Sequence, residues 1–281
     1  MFMSTLLAVG LAAGLVACGS DSTGVADPDE TSPPPAEGYT HPTGAEEVVF
    51  EYAEVGGFVP VELAFQQTPS LLVSGDGRAF TPGAQIAIFP APLLPAVQVQ
   101  TITEEGIQQL LAAADEAGLL AEVDYEEPMQ VADVTTARVT ITVDGTTYVH
   151  EAYALGFEPT EGDVSPQRQA LAGFIAQLGD LATLVGADQL GETSLFEPAS
   201  YGIQAMPIDD LTAYGDGEIG PTVVEWPAEA GVTLADAVAC TVVDAEAVQA
   251  TFAEANQLTF FDDGGTTYQV LVKPILPGTE C

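Results

Sequence analysis

Twice along the chain a strand-like period of two gives way to a helical period and then to a hairpin, and that order limits the folds open to it. The first instance, "AVQVQTITEEGIQQLLAAADEAGLL", predicts a strand and then a helix with Thr103 as N-cap. Ile102 and Ile107 would staple the first turn, and Gly118 would close the helix. Its buried stripe reads Ile107, Leu110, Leu111 and Ala114. "RVTITVDGTTYVHEAYAL" follows as two strands around Asp144-Gly145, a type I′ turn signal.

The second instance, "AVACTVVDAEAVQATFAEANQL", has Asp244 as N-cap and Val243 with Val248 in the staple positions. Val248, Phe252 and Ala255 make its stripe, and Asn256 sits where a left-handed C-cap would fall. Its hairpin carries Gly265-Thr266-Thr267-Tyr268, which repeats Gly145-Thr146-Thr147-Tyr148. The expectation is an α+β fold, antiparallel sheet with helices on one face, built from a duplicated strand, helix and hairpin module. Convergence on the same physics would give the same pattern.

Other segments fill in the outline. "EEVVFEYAEV" reads as a strand and "LLVSGDGRAF" as a hairpin. "SPQRQALAGFIAQLGDLATLV" predicts a helix capped by Ser165, with Pro166 at its first position and Leu171, Phe174, Ile175, Leu178 and Leu181 on one face. "SYGIQAMPI" and "PTVVEWP" read as strands. The module limits expected are 45–160 and 161–281, the connecting helix belonging to the second; 45–281 also suits a single domain.

The amino-terminal stretch predicts an address. Leu6 to Ala17 is apolar but too short to cross a hydrocarbon layer of about 30 Å, so it matches a secretory signal, residues 1–17. Leu15-Val16-Ala17-Cys18 resembles the lipobox of bacterial lipoproteins, in which the Cys thiol receives a diacylglycerol and becomes the mature terminus. The usual basic residues are missing from "MFMST". A buried cysteine in a core helix is the plainer alternative for Cys18. Residues 18–44, rich in Ser, Thr, Pro, Asp and Gly, read as a tether reaching roughly 25 to 30 Å. His41 falls in it.

With Cys18 acylated, Cys240 and Cys281 remain as a pair. Outside the membrane they would form a disulfide; two free thiols are the alternative. The formal charge of −38, from 42 acidic residues against four basic ones, repels phosphate backbones and excludes nucleic acid as a partner. It also leaves any membrane attachment to the lipid at Cys18. Self-repulsion on this scale predicts a melting temperature that rises between low and molar salt, whether the acidity reflects a saline habitat or solubility alone. Thermal denaturation at the two salt levels checks it, and an unchanged midpoint would count against it.

Little in the sequence points to catalysis. His150, the one histidine after His41, alternates on a strand and reads as structural rather than as a general base. Ser74 lacks the glycine two residues earlier that a nucleophile elbow needs and reads as a turn residue. No His or Cys cluster suits zinc, and no cofactor is expected. Asp124, Glu126 and Glu127, or Asp262 with Asp263, offer oxygen donors for calcium without the spacing of a calcium loop. Phe58, Phe89, Leu93 and Leu94, set among Pro and Gly, would either form an apolar patch for a partner or pack as core. Trp226 reads as core.

"GGFVP", "SGDGRAF", "ITEEGIQQLLAAADEAGLL" and the closing "GGTTYQVLVKPILPGTEC" together resemble uncharacterised secreted lipoproteins of actinobacteria. In those proteins a Gly-Asp-Gly hairpin and a closing basic-Pro-Leu-Leu-Pro stretch recur; here that stretch holds Lys273 and Ile275. The resemblance implies an extracytoplasmic, lipid-anchored protein and brings no activity with it. The expected role is binding or scaffolding of a protein or envelope component, with a carboxylate-dependent hydrolase as the alternative.

Overall fold

Two sheets share the work of building the core, and each is covered by helices. The computed structural model describes residues 38–126, 131–157, 164–215 and 217–281. Gly38–Cys281 form one compact unit. In chain order its elements are β1 (Val48–Gly56), α1 (Val61–Gln66), β2 (Leu71–Ser74), β3 (Arg78–Pro82), β4 (Val97–Thr101), α2 (Glu104–Glu116), β5 (Thr135–Val143) and β6 (Thr146–Tyr153). There follow α3 (Pro166–Leu178), α4 (Leu181–Val185), β7 (Ser194–Leu195), β8 (Ser200–Pro207), β9 (Thr222–Glu225), β10 (Thr241–Asp244), α5 (Ala245–Glu254), β11 (Thr259–Asp263) and β12 (Thr266–Pro274).

The first sheet has the order β6-β5-β1-β2-β3-β4-β7 and the second β10-β8-β12-β11-β9. Pairing is antiparallel throughout except for β9, which runs parallel to β11. The α+β expectation therefore holds. The strand, helix, hairpin order occurs in both sheets, β4-α2-β5-β6 and β10-α5-β11-β12. The hairpins join differently: the first docks on β1 through its leading strand β5, the second on β8 through its trailing strand β12.

Local chemistry explains the helix boundaries. Thr103, Ser165 and Asp244 each accept a hydrogen bond from a backbone N–H of the helix they open. Gly118 (φ 77°) takes the left-handed position after α2. Asn256 does not do so for α5. Its Oδ1 instead accepts from Leu258 N at 2.8 Å, making a turn that leads straight into β11. Both hairpin turns have positive φ at their two central residues, Asp144 (50°) with Gly145 (73°), and Gly264 (64°) with Gly265 (86°). That is the type I′ geometry that matches strand twist.

One core lies between the first sheet and α2, α3 and α4. The α2 stripe Ile107, Leu110, Leu111 and Ala114 meets Val49, Phe50, Val139 and Ile141 from the strands and Leu171, Phe174 and Leu178 from α3. The Phe50 and Phe174 rings pack edge to face with centroids 5.8 Å apart. The connecting helix thus belongs with the first sheet rather than the second module, because its apolar face is complementary to the α2 stripe. A second core joins α5, through Val248 and Phe252, to Ile203, Phe261, Val270, Val272 and Trp226. Leu93, from the chain between β3 and β4, is buried in it. Leu276, beyond β12, returns the exchange by packing on Leu72, Phe80 and Val97 on the other face of the first sheet.

Gly38–Gly44, which composition assigns to the tether, is docked. Tyr39 N donates to Gln108 Oε1 (2.7 Å), its hydroxyl to Asp115 (2.8 Å), and Thr40 N to Asp144 Oδ1 (2.9 Å). His41 packs with its Nε2 3.1 Å from Glu104. Aromatic and imidazole contacts offset the ordering of a segment that is poor in aliphatics. The strap lies at the end of the first sheet marked by Asp144, and the loops after β1 and β3 leave from the opposite end, where Gly56 pairs with Thr135 and Pro82 with Val97.

The Cys240–Cys281 disulfide is formed, with a Cα separation of 4.9 Å. It lies over Gly202 on β8, where a Cβ would stand 3.0 Å from either sulfur, so the bridge needs a glycine beneath it.

Candidate functional site

The loops at the far end of the first sheet build a cleft against the second. On one side Phe58 N donates to Asp133 O at 3.2 Å, and α1 follows with no residue buried in a core. So short a helix is marginal alone. It is held by Gln66, whose Nε2 donates to Leu93 O and Val272 O, both at 3.2 Å, and by Phe65, whose ring lies 5.3 Å beneath the Lys273 ammonium. Burial pushes the Lys273 ammonium below its usual range.

On the other side the chain from Gly83 to Ala96 is anchored by backbone and amide bonds. Gly83 N reaches Ala96 O, Leu93 N reaches Ala255 O, and Ala91 N reaches Gln257 Oε1. The floor is β12. Between them lies a cleft of about 510 Å³ walled by Leu63, Gln67, Gln85 and Gln257 and floored by Leu93 and Leu271, with Gln269 beside them. Among the described residues Glu62 is the sole ionisable one lining it.

The surroundings set this region apart. From Ala79 to Thr103 the sequence has no ionisable residue, and from Val55 to Gly75 only Glu62. Of fourteen large hydrophobic residues exposed among the described ones, seven lie here: Phe58, Val59, Val61, Leu63, Ile86, Ile88 and Phe89. On a chain of charge −38, half of the large hydrophobic side chains exposed among the described residues fall in two short segments whose one ionisable residue is Glu62, a concentration rather than scatter. Phe58 is 89% exposed and Phe89 48%, whereas Leu93 and Leu94 pack in or against the second core. Leu93 and Leu94 therefore pack as core, while Phe58 and Phe89 stand exposed. Gln66 and Gln257, which set the walls, carry no sequence signal; the long neutral run was the readable clue.

Ser74, Trp226, Asp262 and Asp263 hold turns, core and loops in place. Ser74 Oγ donates to Asp76 at 2.6 Å inside the turn between β2 and β3. Against the upward push of partial burial, that bond and the Arg78 guanidinium hold the Asp76 carboxyl below its usual range. Trp226 is buried and donates to Val232 O at 2.9 Å. Asp262 Oδ1 accepts from Gly265 N and Asp263 Oδ2 from Leu234 N, so each secures a loop. Asp124 and Glu126 lie between α2 and β5, and Glu127 is outside the described residues. Among the described residues no three His, Cys, Asp or Glu side chains are grouped to hold a metal. Cys18 also lies outside the described residues, and among those described no helix is long and apolar enough to cross a membrane. No family model matches the chain, and neither does any curated protein or solved structure.

His150, 1% exposed, is bonded on both nitrogens: Nδ1 stands 3.0 Å from Tyr125 Oη and Nε2 2.8 Å from Leu119 O. A carbonyl only accepts, so Nε2 carries the proton and Nδ1 accepts from the phenol. Burial lowers the imidazole's affinity for a second proton, against the pull of the Leu119 carbonyl, and pushes the Tyr125 hydroxyl up to about 12. An unfolded His protonates near pH ~6.5. Below that value the unfolded chain binds the extra proton first, so stability falls with pH down to the depressed folded value, by at most about 1.4 kcal/mol per unit. Urea denaturation on either side of that midpoint is expected to show this slope in the wild type and to lose it in His150→Gln.

Proposed function

We propose that this chain is a lipid-anchored, extracytoplasmic protein of the bacterial envelope whose role is to bind another envelope component, without catalysis. The observation that carries this reading is a cleft lined by Leu63, Leu93 and Leu271, with Glu62 its one ionisable lining residue among those described and exposed Ile86, Ile88 and Phe89 on the segment that walls it, on a chain of charge −38. The address draws on the Leu-Val-Ala-Cys stretch ending at Cys18, and the Cys240–Cys281 bridge supports an oxidising surrounding. The strap at Tyr39–His41 lies at the end of the first sheet opposite the loops that form the cleft. The recurring Gly-Thr-Thr-Tyr hairpins support descent of the two sheets from one duplicated module, the second having re-paired through its other strand.

The hydrolase alternative has thinner support. Glu51 is the one acid among the described residues whose carboxyl is raised, by burial and against the pull of Arg138. It lies on β1, away from the cleft walls. A second acid opposite it would be needed for hydrolytic chemistry.

Two measurements test the proposal. Metabolic labelling with a fatty-acid probe is expected to mark the wild type and not Cys18→Ser. An immobilised Cys18→Ser chain is expected to retain an envelope component that a further Leu63→Asp, Ile88→Asp change releases. An unlabelled wild type would sink the anchor, and capture indifferent to the rim would sink the cleft.

A further inference from the structure

The cleft's chemistry is specific enough to name the class of its occupant. Five glutamines line it, Gln66, Gln67, Gln85, Gln257 and Gln269. Gln66 and Gln257 are spent on holding the walls. The side chains of Gln67, Gln85 and Gln269 have no partner among the described residues, so three primary amides, each both donor and acceptor, stand open around an apolar floor. Such a lining complements the alternating N–H and C=O groups of an extended peptide, while Leu63, Leu93 and Leu271 offer contact to its apolar side chains.

Other occupants fit less well. Among the described residues no aromatic ring lines the cleft to give a sugar a flat platform. A second copy would carry the same whole-chain charge of −38, and an anionic bilayer would be repelled in the same way. The field of the whole chain draws in a cation, yet the cleft itself offers a cation only Glu62. Basic groups would therefore gain most at the rim's outer margins, where the acidic surface resumes, and apolar groups inside.

We infer that the cleft between α1, the Gly83–Ala96 segment and β12 binds an extended apolar stretch of a cationic protein, flanked by lysine or arginine. This rests on the binding function proposed above and names its ligand class. The partner's backbone would be held by Gln67, Gln85 and Gln269, its apolar side chains by Leu63 and the floor, and its flanking charges by the surrounding field.

Fluorescence anisotropy on the full chain in detergent tests the inference, using a labelled peptide of alternating Val, Leu and Pro with two lysines at each end. Binding is expected to weaken about tenfold or more in Leu63→Asp, an exposed position whose change leaves the core intact. Glutamate in place of the flanking lysines is expected to weaken it comparably, and molar salt to erase that difference. The inference is overturned if a lysine-flanked Ser-Gly peptide binds equally well, since charge alone would then suffice. It is overturned too if Leu63→Asp binds as the wild type does, or if no peptide binds to a chain that still captures an envelope component through its rim. Self-association that Leu63→Asp abolishes, with no peptide bound, would assign the surface to a second copy instead. Peptide binding by a chain that proves unlipidated would support the inference while removing the anchor.

Discussion

Removing the Cys240–Cys281 bridge is expected to lower the unfolding free energy by about 4 kcal/mol, the chain-entropy value for the 41-residue separation it closes. The closed segment contains β10, α5, β11 and β12, so most of the second sheet gains from the restriction. The effect should extend beyond the second sheet. Cys281 ends a segment whose Leu276 fills the outer face of the first sheet, and Gly278 passes so close to Val48 that a Cβ would stand 2.5 Å from its Cγ2. Urea denaturation of a Cys240→Ala, Cys281→Ala chain against the oxidised wild type measures the loss. A difference below about 1 kcal/mol would mean that packing alone fixes that segment.

The second large effect belongs to Arg168. Its guanidinium is 3% exposed at the start of α3 and donates to Glu126 O, Tyr153 O and Ala154 O at 3.0 to 3.1 Å. It ties the end of β6 and the chain after α2 to the helix that closes the first core. In Arg168→Met the stem is replaced at similar volume but those carbonyls lose their donors. The Ala154 carbonyl is buried and the other two are part-buried, and a buried acceptor left unpaired costs about 1 to 3 kcal/mol, so a loss of about 2 to 3 kcal/mol is expected. Arg168→Lys restores the charge but not the fork, and is expected to recover only part of it. Denaturant midpoints for the two variants decide this, and a Met variant within about 1 kcal/mol of wild type would refute the clamp.

Sequence reading reached the elements whose physics is local. Thr103, Ser165 and Asp244 are caps because a short polar side chain precedes an apolar stripe, and the Asp144-Gly145 turn is dictated by backbone conformation. Where tertiary contacts decide, the pattern was silent. The apolar face of α3 could have packed on either sheet, and nothing in Leu171 or Phe174 names α2 as its partner. Tyr39 and His41 sit among residues typical of a tether, yet Gln108, Asp115 and Glu104, more than sixty positions away, hold them. The cleft was half legible. Its neutral run and exposed Phe58 stand in the sequence, whereas the open amides of Gln67, Gln85 and Gln269 converge only because α1 and the Gly83–Ala96 segment both lie over β12.

Leu93 leaves the first sheet to complete the second core, and Leu276 leaves the second to cover the first. Each portion, taken alone, would expose an apolar hollow shaped for the other's leucine. Melting should consequently be a single all-or-none event, the calorimetric and van't Hoff enthalpies agreeing, with no stage at which one sheet survives its companion.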